Sequence, residues 1–324
     1  GPEDRVYQGF SLGFDGSVEE LWMAFSNGSA LVVGTPSTPR FGDELAQFLA
    51  EQRVSYLSTV PTLLSTMHRD IPSLRWLVVS GEVCPPELVS RWARPGLTML
   101  NVYGPTEATV NTTAAICRPG ANVTIGRELP GYQLYILDEA QRPVPPGEKG
   151  ELDVAGETLA RGYFKRPDLT AERFVEIAGL LPDPSQPLRL YRTGDLVRRS
   201  DDGELEFFGR IDSQVKIRGY RVELAEIETV LLQHPQVRSA SVKLCSRDGL
   251  QELAAYVLLR DGADTLDRGS VLAELEARLP PYMIPGHLDV LPEFPLLASG
   301  KVDRARLPLP SSPLVRVHDQ QDFV

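Results

Sequence analysis

The chain has 324 residues, with 44 acidic against 33 basic side chains and a net charge of -11. Hydrophobic residues make up 42% and charged residues 24%, an ordinary globular mixture with length enough for two domains. The acidic balance argues against a nucleic-acid surface and gives no support for binding acidic membranes.

From the N-terminus, "GSVEELWMAFSNG" predicts a helix ended by Gly28. Val18, Leu21, Trp22 and Phe25 recur at i, i+3, i+4 and i+7, which predicts one buried stripe. Ser17 and Glu20 have the spacing of a capping box, so Glu20 is expected to close the helix start through backbone N–H groups. Asp15 and Glu19 are two further carboxylates at the same mouth, and Glu19 lies off the apolar stripe. Next come "SALVVG" as a strand, "FGDELAQFLAEQRV" as an amphipathic helix, "VSYLSTV" as a strand and "PTLLSTMHRD" as a helix. "LRWLVVSGE" reads as a strand running into a Gly turn, and "CPPELVSRWARP" as a helix. This alternation implies an α/β fold, a mostly parallel sheet with helices on its faces.

From about Thr124 the pattern changes to short strands separated by Pro and Gly turns, which suits an antiparallel, barrel-like piece. "QLYILDEAQRPV" and "LVRRSDDGELEFFG" read as hairpins, the second turned at Asp202-Gly203. Beyond "GRIDSQVKIRGYRVE" helices and strands mix as in a small α+β domain, and the Pro/Ser-rich end reads as a flexible tail. Cys84, Cys117 and Cys245 lie too far apart for a metal spacing or a disulfide framework, which points to a reducing compartment. No apolar run reaches the ~18 residues of a membrane helix, and no signal peptide opens the chain. A cytoplasmic location is expected. The opening "GPEDRV" reads equally as mid-protein sequence or as a residual tag.

Three stretches carry chemistry. In "NVYGPTEATV", Gly104 and Pro105 turn the chain at the end of a probable strand, where open α/β sheets bind ligands. The turn offers an aromatic for a base (Tyr103), a hydroxyl for a phosphate (Thr106) and a carboxylate for Mg2+ (Glu107). On composition alone, an ordinary surface turn is the commoner reading. In "YRTGDLV" and "GRIDSQVKIRGYRVE", Asp195 suits ribose hydroxyls, and Arg210, Arg218 and Gly219 add charge and close backbone approach. A β-turn Asp is the commoner case. In "PLLASGKVDR", Lys301 sits in a Gly-containing turn and could bring charge to a developing oxyanion, although a lone turn lysine is usually just solvated.

Together, "FDGSVEELW", "NVYGPTEATV", "GELDVAGETLARGYFKRP", "YRTGDL", "GRIDSQVKIRGYRVELAEIE" and "SGKVDR" run along the whole chain in one order. In this the chain resembles the ANL superfamily of adenylate-forming enzymes, most closely the amino-acid-activating adenylation domains of nonribosomal peptide synthetases. The resemblance implies a large core domain over 1–211, a hinge at Asp212, a small mobile α+β domain over 212–310 and a tail or linker over 311–324. It implies ATP/AMP and Mg2+ as cofactors, with phosphopantetheine supplied by a peptidyl carrier protein. Tyr103 would stack on adenine, Gly81 would line its pocket, and Asp195 with Arg210 would hold the ribose. Thr106 would touch the α-phosphate, Glu107 would coordinate Mg2+, Lys301 would stabilise charge as the substrate carboxylate attacks, and Gly219 would face the pantetheine arm.

The same resemblance maps the amino-acid pocket onto Asp15, Gly16, Glu19, Ser58, Val78, Ser80, Val102, Val110, Asn111 and Lys301. Asp15 would take the substrate's α-ammonium and Lys301 its carboxylate. Glu19 would remain as an unpaired carboxylate that a cationic side chain neutralises, and Gly16 would leave room for a long chain. A basic amino acid is therefore expected, L-lysine first, then ornithine or 2,4-diaminobutyrate. One departure matters: no Ser/Thr/Gly-rich phosphate loop of the family's kind precedes "FDGSVEELW", so the chain looks like the C-terminal portion of such a domain, impaired in activity. The alternatives are an acyl-CoA or aryl-acid ligase of the same superfamily, against which Asp15 argues, and a non-catalytic amino-acid-binding fragment.

Overall fold

Strands and helices alternate through the first half and build one seven-stranded sheet. In this computed structural model every residue is described except 184, 212, 213, 218, 219, 248, 249, 261–264, 297–301 and 315–324, and the side chains at 221, 247 and 250. The strands are β1 (Arg5–Gln8), β2 (Ala30–Val33), β3 (Tyr56–Thr59), β4 (Trp76–Val79), β5 (Thr98–Tyr103), β6 (Thr113–Ile116) and β7 (Arg127–Glu128). Their order is β2-β1-β3-β4-β5-β6-β7, parallel as far as β5 and antiparallel beyond it. The helices between them are α1 (Gly16–Phe25), α2 (Gly42–Glu51), α3 (Pro61–Ser65) and α4 (Pro86–Trp92). α3 is shorter than its sequence suggests. Ser65 and Thr66 hydroxyls donate to the carbonyls of Thr62 and Leu63, at 2.7 Å each, in place of continued helix.

Leu45, Leu49, Leu64, Val89 and Trp92 from α2, α3 and α4 pack with Leu57, Leu77, Val79 and Met99 in one buried cluster. Those sheet residues share one face, because strand side chains alternate. The register sets Val6, Tyr56 and Trp76 side by side on the other face, and likewise Ser58, Val78, Leu100 and Ile116. α1 lies on this second face, where its Glu19 meets Tyr56. Trp76 and Ile116 there are 42% and 55% exposed.

The expected burial of α1 is reversed. Val18, Trp22 and Phe25 are 44%, 65% and 62% exposed, whereas Gly16, Ser17, Glu20 and Ala24 are buried. The capping box is not formed either. Asp15 is the N-cap, Ser17 lies inside the helix, and no side chain caps it. Glu20 on the buried face instead meets the loop after β1, where the Gly9 and Phe10 N–H groups donate to it.

The barrel-like piece holds β8 (Tyr132–Leu137), β9 (Lys149–Gly156), β10 (Phe174–Ile177), β11 (Leu188–Arg199) and β12 (Leu205–Arg210), with α5 (Pro167–Arg173) before β10. β10-β11-β9-β8 is the sheet order, and β12 pairs with β11. Tyr103, Ala108, Ile125, Leu152, Val154, Val197 and Leu205 form its core. That core brings the end of β5 against β9, β11 and β12. All this belongs to one unit, Gly1–Asp212.

The second unit, Ser213–Val324, begins with a hairpin of β13 (Gln214–Ile217) and β14 (Tyr220–Glu223), which the sequence pattern did not suggest. α6 (Leu224–Gln233) and α7 (Arg268–Glu276) pack against a sheet of β15 (Val237–Arg247), β16 (Leu250–Leu259) and β17 (His287–Val290). Ile227, Val230 and Leu231 of α6 and Leu275 of α7 supply its core. Among the described residues no helix is long and apolar enough to cross a membrane.

Candidate active site

Two clusters form around the end of β5 and the loop after it, one against α1 and Tyr56 of β3, the other against β11 and β12. In the first, the carboxylate of Asp15 accepts a 2.5 Å hydrogen bond from the Thr106 hydroxyl, joining the start of α1 to the loop after β5. One turn on, Glu19 accepts from the Tyr56 hydroxyl at 2.5 Å and from the Asn111 amide at 2.9 Å. Glu19 is therefore not the bare carboxylate expected from sequence. Both donors are neutral, so its charge is oriented but not cancelled. Tyr56 is held firmly as a donor, because burial first and the Glu19 charge second push its hydroxyl pKa far up.

Glu20 is fully buried and accepts from the backbone N–H of Gly9 at 2.9 Å and of Phe10 at 3.3 Å. It does bind backbone N–H groups, but those of the preceding loop rather than the helix start. Burial is the main cause that raises its pKa to about 7; the two N–H groups oppose this, and Glu19 adds to it.

Gly16 does not open the pocket. A Cβ there would stand 2.9 Å from Phe10 Cδ2 and 3.0 Å from Phe14 Cε1, so two rings already fill the space. Gly104 is constrained by backbone: a Cβ would lie 2.3 Å from the Val110 carbonyl oxygen and 2.7 Å from Asn111 Cα. This close approach folds the 109–111 loop back. Thr109 and Val110 take positive φ of 63° and 69°, which β-branched residues rarely adopt. The strained pair delivers Asn111 to Glu19.

Ser58 and Val78 are register partners on the α1 side of the sheet, both 3% exposed, and the Ser58 hydroxyl has no hydrogen-bond partner. Val102 is buried on β5, and Val110 and Ser80 are half-buried. Ser80 follows β4, its N–H donating to Thr59 O at 3.2 Å, and Gly81 after it has φ +81°. Lys301, Asp212 and Gly219 lie outside the described residues.

The second cluster is neutralised. Asp195 sits inside β11 rather than in a turn, beside a break in register, and faces Arg210 across the ladder. Its carboxylate accepts from Arg210 at 2.8 Å and from the Tyr103 hydroxyl. Arg210 also donates to Thr193 O at 2.9 Å, and the Asp195 N–H donates to the Thr193 hydroxyl at 3.0 Å. The Phe207 ring lies 6.5 Å from that of Tyr103. Three residues predicted from separate motifs are thus one bonded group. Between the clusters, Glu107 is buried and accepts from Tyr163 at 2.5 Å. Among the described residues no group of three or more His, Cys, Asp or Glu could hold a metal alone. A single carboxylate such as Glu107 fits a Mg2+ shared with substrate phosphates, which needs only one or two.

Sequence reasoning missed Tyr56, Tyr163 and Thr193. Tyr56 was legible, since it stands two residues before Ser58 and strand alternation puts both on one face. Tyr163 lies inside "LARGYFKRP", but nothing local ties it to Glu107.

Residues 1–164 match the AMP-binding enzyme family and residues 226–301 match the AMP-binding enzyme C-terminal domain. The chain belongs to this family. It is an adenylation domain of the nonribosomal peptide synthetase kind, in the ANL superfamily. Delta-poly-L-ornithine synthetase of Acinetobacter baumannii is 40% identical over 321 residues, 99% of this chain and 24% of its own length. Among solved structures, holo-PA1221, a protein with adenylation and PCP domains, superposes with TM-score 0.79 at 29% identity, over 94% of this chain and 53% of that one. The Vibrio cholerae adenylation domain AlmE, in complex with glycyl-adenosine-5'-phosphate, gives 0.80 at 27%, over 94% and 58%. The adenylation domain described here therefore spans about a quarter of that synthetase and just over half of each structure. Its α/β architecture is the ANL one.

Proposed function

We propose that this domain activates a basic amino acid, L-lysine first, then ornithine or 2,4-diaminobutyrate. A substrate carboxylate oxygen attacks the α-phosphorus of ATP, pyrophosphate leaves, and the aminoacyl group of the resulting adenylate passes to the phosphopantetheine thiol of a peptidyl carrier protein. The observation that carries the basic substrate is Glu19: a half-buried carboxylate oriented by two neutral donors, with no ion pair among the described residues. An ammonium on the substrate side chain would supply the missing charge. The similarity to a delta-poly-L-ornithine synthetase favours the same class, and the PCP domain of PA1221 favours a carrier partner.

In this reading Asp15 holds the α-ammonium while Thr106 orients it, and Gly16, Ser58, Val78, Ser80, Val102, Val110 and Asn111 bound the side-chain pocket. Tyr103, Gly81, Asp195 and Arg210 bind the adenosine. Thr106 and Glu107 face the phosphates, where Mg2+ on Glu107 would neutralise charge. Lys301 contributes charge by resemblance alone. Amino-acid-dependent ATP–pyrophosphate exchange on the natural protein is the test. Lysine or ornithine should give the highest rate, and Glu19→Ala should cut it at least about tenfold. A neutral amino acid as the best substrate would refute the reading.

A further inference from the structure

We propose that Tyr56 is a specificity-setting positioning residue, which acts through Glu19 to make the pocket select a side-chain ammonium. The inference rests on the basic-substrate reading above. Three observations carry it. The Tyr56 hydroxyl donates to Glu19 Oε1 while Asn111 Nδ2 donates to Oε2, so each carboxylate oxygen is tethered once from opposite sides, by β3 and by the loop after β5. A carboxylate has about four lone-pair directions. Two are used to fix the group, and the rest stay free for an ammonium.

The second observation is on the same strand. Ser58 stands two residues beyond Tyr56, about 7 Å along β3 on the same face. Its hydroxyl is buried and has no hydrogen-bond partner. A buried hydroxyl without a partner invites one from the ligand. An ammonium has three donors of the kind that Glu19 and Ser58 accept, whereas a methyl group offers none. The third is the backbone. Gly104 and the left-handed Thr109 and Val110 hold Asn111 in place, so the tether from that side is rigid. Tyr56 is the complementary tether. Without it, Glu19 pivots on a single bond, and its alignment toward a substrate cation is lost.

The test measures the KM and kcat of exchange for L-lysine and for L-norleucine, which has lysine's methylene chain without the ammonium. It uses the natural protein in which these residues occur. In the unaltered protein lysine should be favoured at least about tenfold. Tyr56→Phe keeps the ring and removes one hydrogen bond to a charged group. It should raise KM for lysine about tenfold, leave kcat at saturation within about twofold, and leave norleucine within about twofold. Asn111→Ala removes the other tether and also a pocket-lining group, so it should weaken both amino acids and lysine several-fold more; if Tyr56→Phe melts early, its kinetics are read below its melting temperature. Equal losses for both amino acids in Tyr56→Phe, or an unchanged lysine-to-norleucine ratio in it, would overturn the role of Tyr56 while leaving the basic-substrate reading intact. Absence of lysine preference in the unaltered protein would instead overturn that reading, and the inference with it.

Discussion

At the corner of Tyr103, Asp195 and Arg210, the one carboxylate is 3% exposed and paired with a guanidinium at 2.8 Å. At the corner of α1, Asp15, Glu19 and Glu20 bring three carboxylates together, and none has an ion pair among the described residues. The two corners lie on the same scaffold and resolve the cost of buried charge differently. A buried carboxylate must be paired, protonated or generously hydrogen-bonded. Asp195 is paired. Glu20 is bonded to two backbone N–H groups and raised toward protonation. Glu19 is oriented by two neutral donors, with no cation beside it among the described residues. The first corner suits a ligand part that brings hydroxyls and no charge. The second suits one that brings cations.

The largest effect should come from breaking the paired corner. Arg210→Ala leaves Asp195 buried without its cation, and removing one partner of a buried pair costs about 3–5 kcal/mol. Urea unfolding should show a loss of that order. A loss under about 1 kcal/mol would mean that water or Tyr103 carries Asp195, and the contrast between the corners would fall.

Glu20 gives the next effect, through pH. Its carboxyl is raised from an ordinary 4.5 to about 7, so between those values the folded state holds a proton that the unfolded state has lost. Stability should therefore fall as pH rises through this window and level off above it. The shift corresponds to at most about 3 kcal/mol. Asp153, buried in β9 and raised to about 8 chiefly by burial, has the same sign. Unfolding measured from pH 5 to 8 should show a decline that Glu20→Gln makes shallower and Asp153→Asn makes shallower again. A slope untouched by Glu20→Gln would show that the carboxylate stays ionised in the fold.

Much of this arrangement was legible in the sequence, and the failures have physical causes. Strand–helix alternation located the parallel sheet, because period-2 and period-3.6 patterns follow from local geometry. The stripe of Val18, Trp22 and Phe25 is truly apolar, but periodicity reports which face is apolar and not whether a partner covers it. Glu20 has a local capping signature and a tertiary destiny, and Gly9 and Phe10 outcompete the helix start for it. Gly16 looked like space and is filled by Phe10 and Phe14, which no spacing rule reveals. Tyr103, Asp195 and Arg210 were each recognisable by motif, yet the bond from Tyr103 to Asp195 spans 92 residues and exists only in the fold.

The smallest expected effect on stability separates the roles of two hydroxyls. Thr106 is exposed and Asp15 half-buried, so water can replace the Thr106 hydrogen bond to Asp15. Thr106→Val, which keeps the shape, should change unfolding stability by less than about 1 kcal/mol. Its kinetic signature should differ from that of Tyr56→Phe. Asp15 is read as the partner of the α-ammonium, a group that lysine and norleucine share, so Thr106→Val should raise KM for both by a similar factor of a few. Tyr56→Phe, through Glu19, should penalise lysine alone. Exchange kinetics with the two amino acids on the two variants would show the division directly. If Thr106→Val instead penalised lysine selectively, Asp15 would belong to side-chain recognition, and the assignment of the acids along α1 would have to be exchanged.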